Sequence, residues 1–224
     1  MGRGGESPVT AAPPRTVTIS ATYGAGATIV APKVAARLGL PYLERIVSPE
    51  TAGTAARAGR ESLAGDERPE GLLRRLVDAL AHMPGVVGTT IPEPAEGVSN
   101  EERVRASVEA TLHEVAETTG AVVVGRGGMV VLGSYPTAFH VRLDGPAAAR
   151  RRQGMAIEEI DEAVAKRRQG DTDRARAMYL RRFYDVSAAD AGLYHLVLDS
   201  TAIPLDGCVD VIVAAAEAFW AAPR

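Results

Sequence analysis

With one cysteine, Cys208, among its 224 residues, the chain has no means of closing an intrachain disulfide. Zinc-ligand spacing is missing too: His82, His113, His140 and His195 are scattered singletons, which argues against an encoded metal centre. Both absences suit a reducing, cytoplasmic setting. The first residues, Met1 to Pro14, are rich in Gly, Pro and Ala but lack the apolar core of a signal peptide, so they read as a tail. No stretch reads as a membrane span: the most apolar one, Val209 to Ala222, is too short and is interrupted by Asp210 and Glu217. Internal repeats and low-complexity tracts are equally absent.

What is present describes an ordinary folded chain. Apolar residues make up 46% and charged residues 24%, and the length suits one elaborated domain over residues 16–224 behind a flexible tail, 1–15. Net charge is −3, but residues 142–182 hold 11 of the 25 basic and only 7 of the 28 acidic residues. A local cationic region on an acidic protein suits a small polyanion better than a nucleic-acid backbone, which favours a broader basic face. The plain alternative is a solvated helix surface.

Along the chain, Thr16 to Ser20 alternates β-branched residues, Tyr23-Gly-Ala-Gly26 makes a turn, and Thr28 to Leu38 has helical apolar spacing that ends at Gly39. Leu40 to Leu43 reads as a second strand. Residues 45–98 are Gly-, Pro- and acid-rich with one helix, 69–82, and read as an insertion. A helix over 101–119 precedes the apolar strand Ala121 to Gly125, and a further strand covers 137–143. Helices are expected near 146–153, 157–169 and 171–183, then a strand over 194–199 and a closing amphipathic helix from Asp206. Strands separated by helices imply a three-layer α/β/α fold with a central parallel sheet of about five strands, whose ligands bind beyond the carboxyl ends of the strands.

The turn after the first strand carries the chemistry. A phosphate loop of the form GxxxxGK[ST] cradles phosphate with backbone amides, contacts it with lysine and holds magnesium through its hydroxyl. The segment Ala21 to Thr28 keeps the second glycine, Gly26, and the hydroxyl, Thr28, but loses the first glycine to Ala21 and the lysine to Ala27. Tyr23, Gly24, Ala25, Gly26, Ala27 and Thr28 remain candidates for holding an anion, because Gly24 and Gly26 permit close backbone approach and the helix start points at it. Thr28 is the candidate magnesium ligand. Lys33 lies almost two turns into the helix, too far along to replace the missing charge. A competing motif is GxGxxG over Gly24 to Ile29, with Glu44 twenty residues on to hold a dinucleotide's ribose. Ile29 in place of the third glycine crowds the helix against the strand, and no hydride-transfer site follows.

Taken together, Val17-Thr-Ile-Ser, Tyr23-Gly-Ala-Gly26, Val34 to Tyr42, Val123-Val-Gly-Arg126-Gly-Gly128, Phe139 to Asp144 with Arg150-Arg-Arg152, and Tyr194 to Thr201 resemble the cytidylate-kinase-like branch of P-loop kinases. The resemblance covers roughly Val17 to Ala215. In that branch the glycine loop often lacks the lysine. The likeness implies that Arg126 grips an acceptor phosphate, although Gly127 stands where cytidylate kinase has an acid. It implies further that Arg167, Asp171 and Arg174 contact the acceptor's ribose and phosphate, with Glu44 on the acceptor side. The alternative for these three is an intrahelical ion-pair ladder. Residues 145–185 become an arginine-rich lid, in which Arg150, Arg151 or Arg152, with Arg167, supply the missing charge. The implied reaction is transfer of the ATP γ-phosphoryl, with Mg2+, to a nucleoside monophosphate or other small phosphate acceptor. A nucleotide-binding regulatory protein that has lost turnover is the rival. Neither nucleic acid nor membrane is an expected partner, and a homodimer is compatible with the sequence.

Overall fold

The computed structural model describes residues 13–43 and 100–223. The expected insertion, its helix 69–82 and Glu44 lie outside the described residues.

Strand β1 (Thr16–Ala21) is the centre of the sheet because it is apolar or β-branched on both faces. Val17 and Ile19 face one side, Thr16 and Thr18 the other, and all four are buried. Around it stand β2 (Tyr42–Leu43), β3 (Ala121–Val124), β4 (Ala138–Asp144) and β5 (Leu196–Asp199), in the order β2-β3-β1-β4-β5 and all parallel. The chain leaves β1 toward one edge and later returns to its other side, so the crevice of this doubly wound sheet opens at the carboxyl end of β1.

One face of the sheet is covered by α1 (Ala27–Leu38) and α6 (Leu205–Ala221). Val30, Ala31 and Val34 of α1 meet Cys208, Val209 and Ile212 of α6 over Val17, Ile19 and Val141. α1 starts at Gly26, in the left-handed region at φ 76°, and ends at Gly39, whose amide returns to the carbonyls of Ala35 and Ala36. The opposite face is covered by α2 (Asn100–Thr118), where Val108, Leu112 and Ala116 pack on Ala121, Val123 and Ala138. A single helical turn, α3 (Gly128–Val131), follows β3. At the amino-terminal end of the strands, Trp220 of α6 donates its indole N–H to the Thr137 carbonyl at 2.8 Å, and the Arg15 guanidinium lies over its ring.

Between β4 and β5 the chain forms two helices where the sequence suggests three. α4 (Ala147–Glu158) ends at Glu159 in the left-handed region, and α5 (Glu162–Tyr184) begins at Asp161, whose carboxylate accepts the Val164 amide at 2.8 Å. Such a cap is a stronger boundary than a lone glycine. Gly170 therefore sits inside α5 and does not break it. α5 runs on to Asp185, so Arg167, Asp171 and Arg174 do share one continuous helix.

Candidate functional site

β1 hands the chain to the turn Thr22 to Gly26, and α1 leads away from it. Every carbonyl from Ala21 to Gly26 has a donor. Arg176 Nη1 reaches Ala21 O at 2.6 Å, the Ala25 amide Thr22 O at 3.2 Å, and Arg150 Nη1 Tyr23 O at 2.8 Å. Gln153 Nε2 donates to Gly24 O at 2.9 Å, Ser200 Oγ to Ala25 O at 2.8 Å, and the Ile29 and Val30 amides to Gly26 O. The amides are divided differently. Thr22 N–H goes to Leu143 O and Tyr23 N–H to Asp173 Oδ1 at 2.8 Å. Those of Gly24, Gly26, Ala27 and Thr28 meet no acceptor among the described residues.

Donors left over on a turn whose acceptors are all engaged are an arrangement able to hold an anion, and the start of α1 adds to it. They border a cavity of about 270 Å3 lined on the loop side by Gly24, Gly26, Ala27 and Thr28. Across it stand Ile157 and Glu158 of α4 with Arg168, Thr172 and Arg176 of α5. Residues 168, 172 and 176 follow one another at i, i+4 and i+8, a single stripe of the helix. Arg168 pairs with Glu158 at 2.5 Å, and Glu158 also accepts the Tyr23 hydroxyl at 3.1 Å. Burial, followed by the Glu158 charge, pushes the Tyr23 phenol up to about 12, so it stays a hydrogen-bond donor.

Beneath the turn, Thr22 Oγ1 donates to Asp144 Oδ1 at 2.8 Å, while Arg142 grips the other carboxylate oxygen at 2.6 Å. Burial would raise the Asp144 pKa, but the hydrogen bonds from Arg142 and Thr22 outweigh it and hold it below the usual carboxylate value. Arg150 is 8% exposed and joins the Gly145 and Tyr23 carbonyls to Asp173.

The residues singled out in the sequence divide accordingly. Gly24, Gly26, Ala27 and Thr28 line the cavity, with Thr28 exposed, and Tyr23 lines it while largely buried. Ala25 is fully buried in the core. Lys33 pairs with Asp206 at 2.6 Å on the α1–α6 surface. Arg151 pairs with Glu162 and reaches Gln169. Arg167, Asp171 and Arg174 are exposed and do not line the cavity; at about 100° per residue their stripe lies roughly 130° around α5 from Thr172. Arg126 stands at the carboxyl end of β3 with φ 61°, between Gly125 at 76° and Gly127 at 67°. A Cβ on Gly127 would strike the Tyr184 ring, so an acidic side chain has no room there.

The sequence reading missed Arg168, Thr172, Arg176 and the two acids Glu158 and Asp173. The available signal was the inward face of α5, marked by Ala165, Gln169 and Ala175, which are all buried. Arg168 and Arg176 adjoin that face, whereas Arg167 and Arg174 do not.

A parallel sheet whose central strand runs through a glycine-containing turn into the first helix is an α/β fold of the P-loop kinase type. The chain matches the cytidylate kinase-like family over residues 16–202 and belongs to it. No curated protein matches the sequence. Among solved structures, the chain is similar to an uncharacterized protein from Eubacterium ventriosum ATCC 27560, with 16% identity, TM-score 0.62 and coverage of 91% of this chain and 98% of that one. It is also similar to a gluconokinase from Sinorhizobium meliloti 1021, at 15% identity, TM-score 0.48 and 93% coverage of both chains. A shikimate kinase from Bacteroides thetaiotaomicron matches at 12% identity, TM-score 0.46, covering 91% of this chain and 98% of that one. Among the described residues no helix is long and apolar enough to cross a membrane.

Proposed function

We propose that the protein is a nucleotide-dependent phosphotransferase that binds the phosphates of ATP at Gly24 to Thr28 and moves the terminal phosphoryl to a small phosphate acceptor, of which a nucleoside monophosphate is the leading kind. The observation that carries this is the set of four amides that meet no acceptor among the described residues, beside a cavity of about 270 Å3 that also presents Arg168 and Arg176. A donor set of amides and guanidinium groups fits a polyphosphate. Membership of the cytidylate kinase-like family supports the kinase class.

When bound, ATP would supply the phosphoryl group and magnesium would neutralise its oxygens, with Thr28 as the proposed hydroxyl ligand of the metal. Catalysis by this chain would be a matter of positioning. The amides of Gly24, Gly26, Ala27 and Thr28 hold the donor phosphates, while Arg168 and Arg176 take over the charge of the lysine that Ala27 replaces. Arg126, at the neighbouring strand end, is the proposed grip on the acceptor. No ionisable nucleophile is required, because the acceptor phosphate brings its own oxygen.

Purified protein with ATP, magnesium and a panel of nucleoside monophosphates tests the proposal. Phosphoryl transfer to one acceptor is the expected result. Saturable ATP binding with transfer to none would make it a nucleotide-binding regulator, and binding of NAD(P) in place of ATP would restore the dinucleotide alternative.

A further inference from the structure

Three side chains from α4 and α5 converge on carbonyls at the end of β1 and in the phosphate turn: Arg176 on Ala21 O, Arg150 on Tyr23 O, and Gln153 on Gly24 O. Tyr23 receives the tightest treatment. Its carbonyl accepts from Arg150 Nη1 at 2.8 Å, its amide donates to Asp173 Oδ1 at 2.8 Å, and Arg150 and Asp173 close the circuit at 2.9 Å. Both backbone polar groups of one turn residue are thus satisfied by a single ion pair from outside the turn. Contact is also close enough that a Cβ on Gly24 would collide with the Arg150 backbone carbonyl. Arg150 is buried, and its remaining reach goes to Gly145 O and toward Asp144 at 3.4 Å. Asp144 in turn holds Thr22, the preceding residue of the turn.

A carbonyl and the N–H of the next residue share one peptide plane and point opposite ways, so the bond from Arg150 to Tyr23 O sets the direction of Gly24 N–H, and the bond from Ser200 to Ala25 O sets that of Gly26 N–H. Anion sites gain affinity when their donors are already aligned before the ligand arrives. A turn that has lost its first glycine and its lysine needs that alignment from another source.

We infer that Arg150 and Asp173 form a positioning pair that presets the phosphate turn through Tyr23. The pair touches no phosphate itself. The inference rests on the anion-binding assignment of Gly24 to Thr28, and pyrophosphate, which needs only that site, is the probe.

The experiment is calorimetric titration of the full chain with pyrophosphate, without enzyme turnover, for wild type, Asp173→Ala, Asp173→Asn and Arg150→Lys. Asp173→Ala removes the acceptor from Tyr23 N–H and is expected to weaken pyrophosphate binding about tenfold. Asp173→Asn keeps an oxygen for that amide and is expected to recover most of the loss. Arg150→Lys keeps the charge but loses the planar group whose Nε is tied to Gly145 O while Nη1 meets both Tyr23 O and Asp173, and is expected to bind several-fold more weakly than wild type. A bystander ion pair would lower the melting temperature of Asp173→Ala while leaving the affinity of the folded protein unchanged, and that result would overturn the inference. If Asp173→Ala does not fold, the decision passes to Arg150→Lys, where native affinity has the same force. Wild-type protein that binds no pyrophosphate at all sinks the anion-site assignment and this inference with it, a failure distinguishable from wild-type binding that the variants share.

Discussion

Arg168 and Arg167 are sequence neighbours with different expected roles, because a helix turns about 100° between them. Arg168 lines the cavity beside the turn and Arg167 does not. Arg168→Ala and Arg176→Ala are each expected to weaken ATP binding about tenfold, the scale of one charge-assisted contact, while Arg167→Ala changes it less than about twofold. Equilibrium titration with an ATP analogue decides, and the opposite ranking would return the role to Arg167. A second residue-level expectation concerns His140, which is 4% exposed, hydrogen-bonded to Thr18 Oγ1 at 2.7 Å and stacked on His195 at 5.0 Å. Burial, then the neighbouring His195, lowers its pKa from 6.5 to about 4. The unfolded chain therefore binds a proton that the folded chain refuses between those values. Stability from this group is complete above about pH 6.5 and declines as pH falls toward 4, by about 3 kcal/mol in all. Urea midpoints measured from pH 7 to pH 4.5 should fall in wild type and fall less in His140→Asn; parallel curves would reject the assignment.

At the level of elements, α5 shows how far sequence pattern carries. The strand, glycine turn and helix around Gly24 are legible because β-branched alternation, glycine and helical spacing all agree there, and the register of Val17 and Ile19 against the core follows from alternation alone. The expected break between 169 and 171 does not occur because Gly170 keeps an ordinary helical backbone, with no left-handed φ to end the helix, and Asp161 sets the boundary earlier. The direction in which α5 faces was not legible from charge spacing. It depends on Ala165, Gln169 and Ala175 meeting neighbours that only the fold brings there. The contacts of Arg150 with Tyr23 span 127 residues and leave no local trace. Gly170 itself gives a test: it is exposed inside a helix and a Cβ there would meet nothing within 4 Å. Gly170→Ala is expected to stabilise the protein by about 0.5–1 kcal/mol through lower unfolded-state entropy, read as a rise in thermal midpoint, and destabilisation would mean that α5 is not continuous at that point.

Across the molecule, the proposed site and the core share one frame, and Ala27 belongs to both. The carboxyl ends of β1, β3, β4 and β5 gather Gly24, Arg126, Asp144 and Ser200, while α1 and α6 bury the apolar layer behind them. Occupancy of the turn should therefore stabilise the whole fold by mass action, about 2.7 kcal/mol at pyrophosphate concentrations near a hundred times its dissociation constant. Differential scanning fluorimetry with pyrophosphate should show a rising midpoint, and a flat response would contradict binding by the native state. The anchor at the far end has an optical consequence. Trp220 is the single tryptophan of the chain, fixed by Thr137 and Arg15 at the amino-terminal margin of the sheet. Its emission should stay constant during titration of the phosphate turn and shift when α6 leaves the sheet, giving the protein a native fluorophore that reports unfolding and is blind to its ligand.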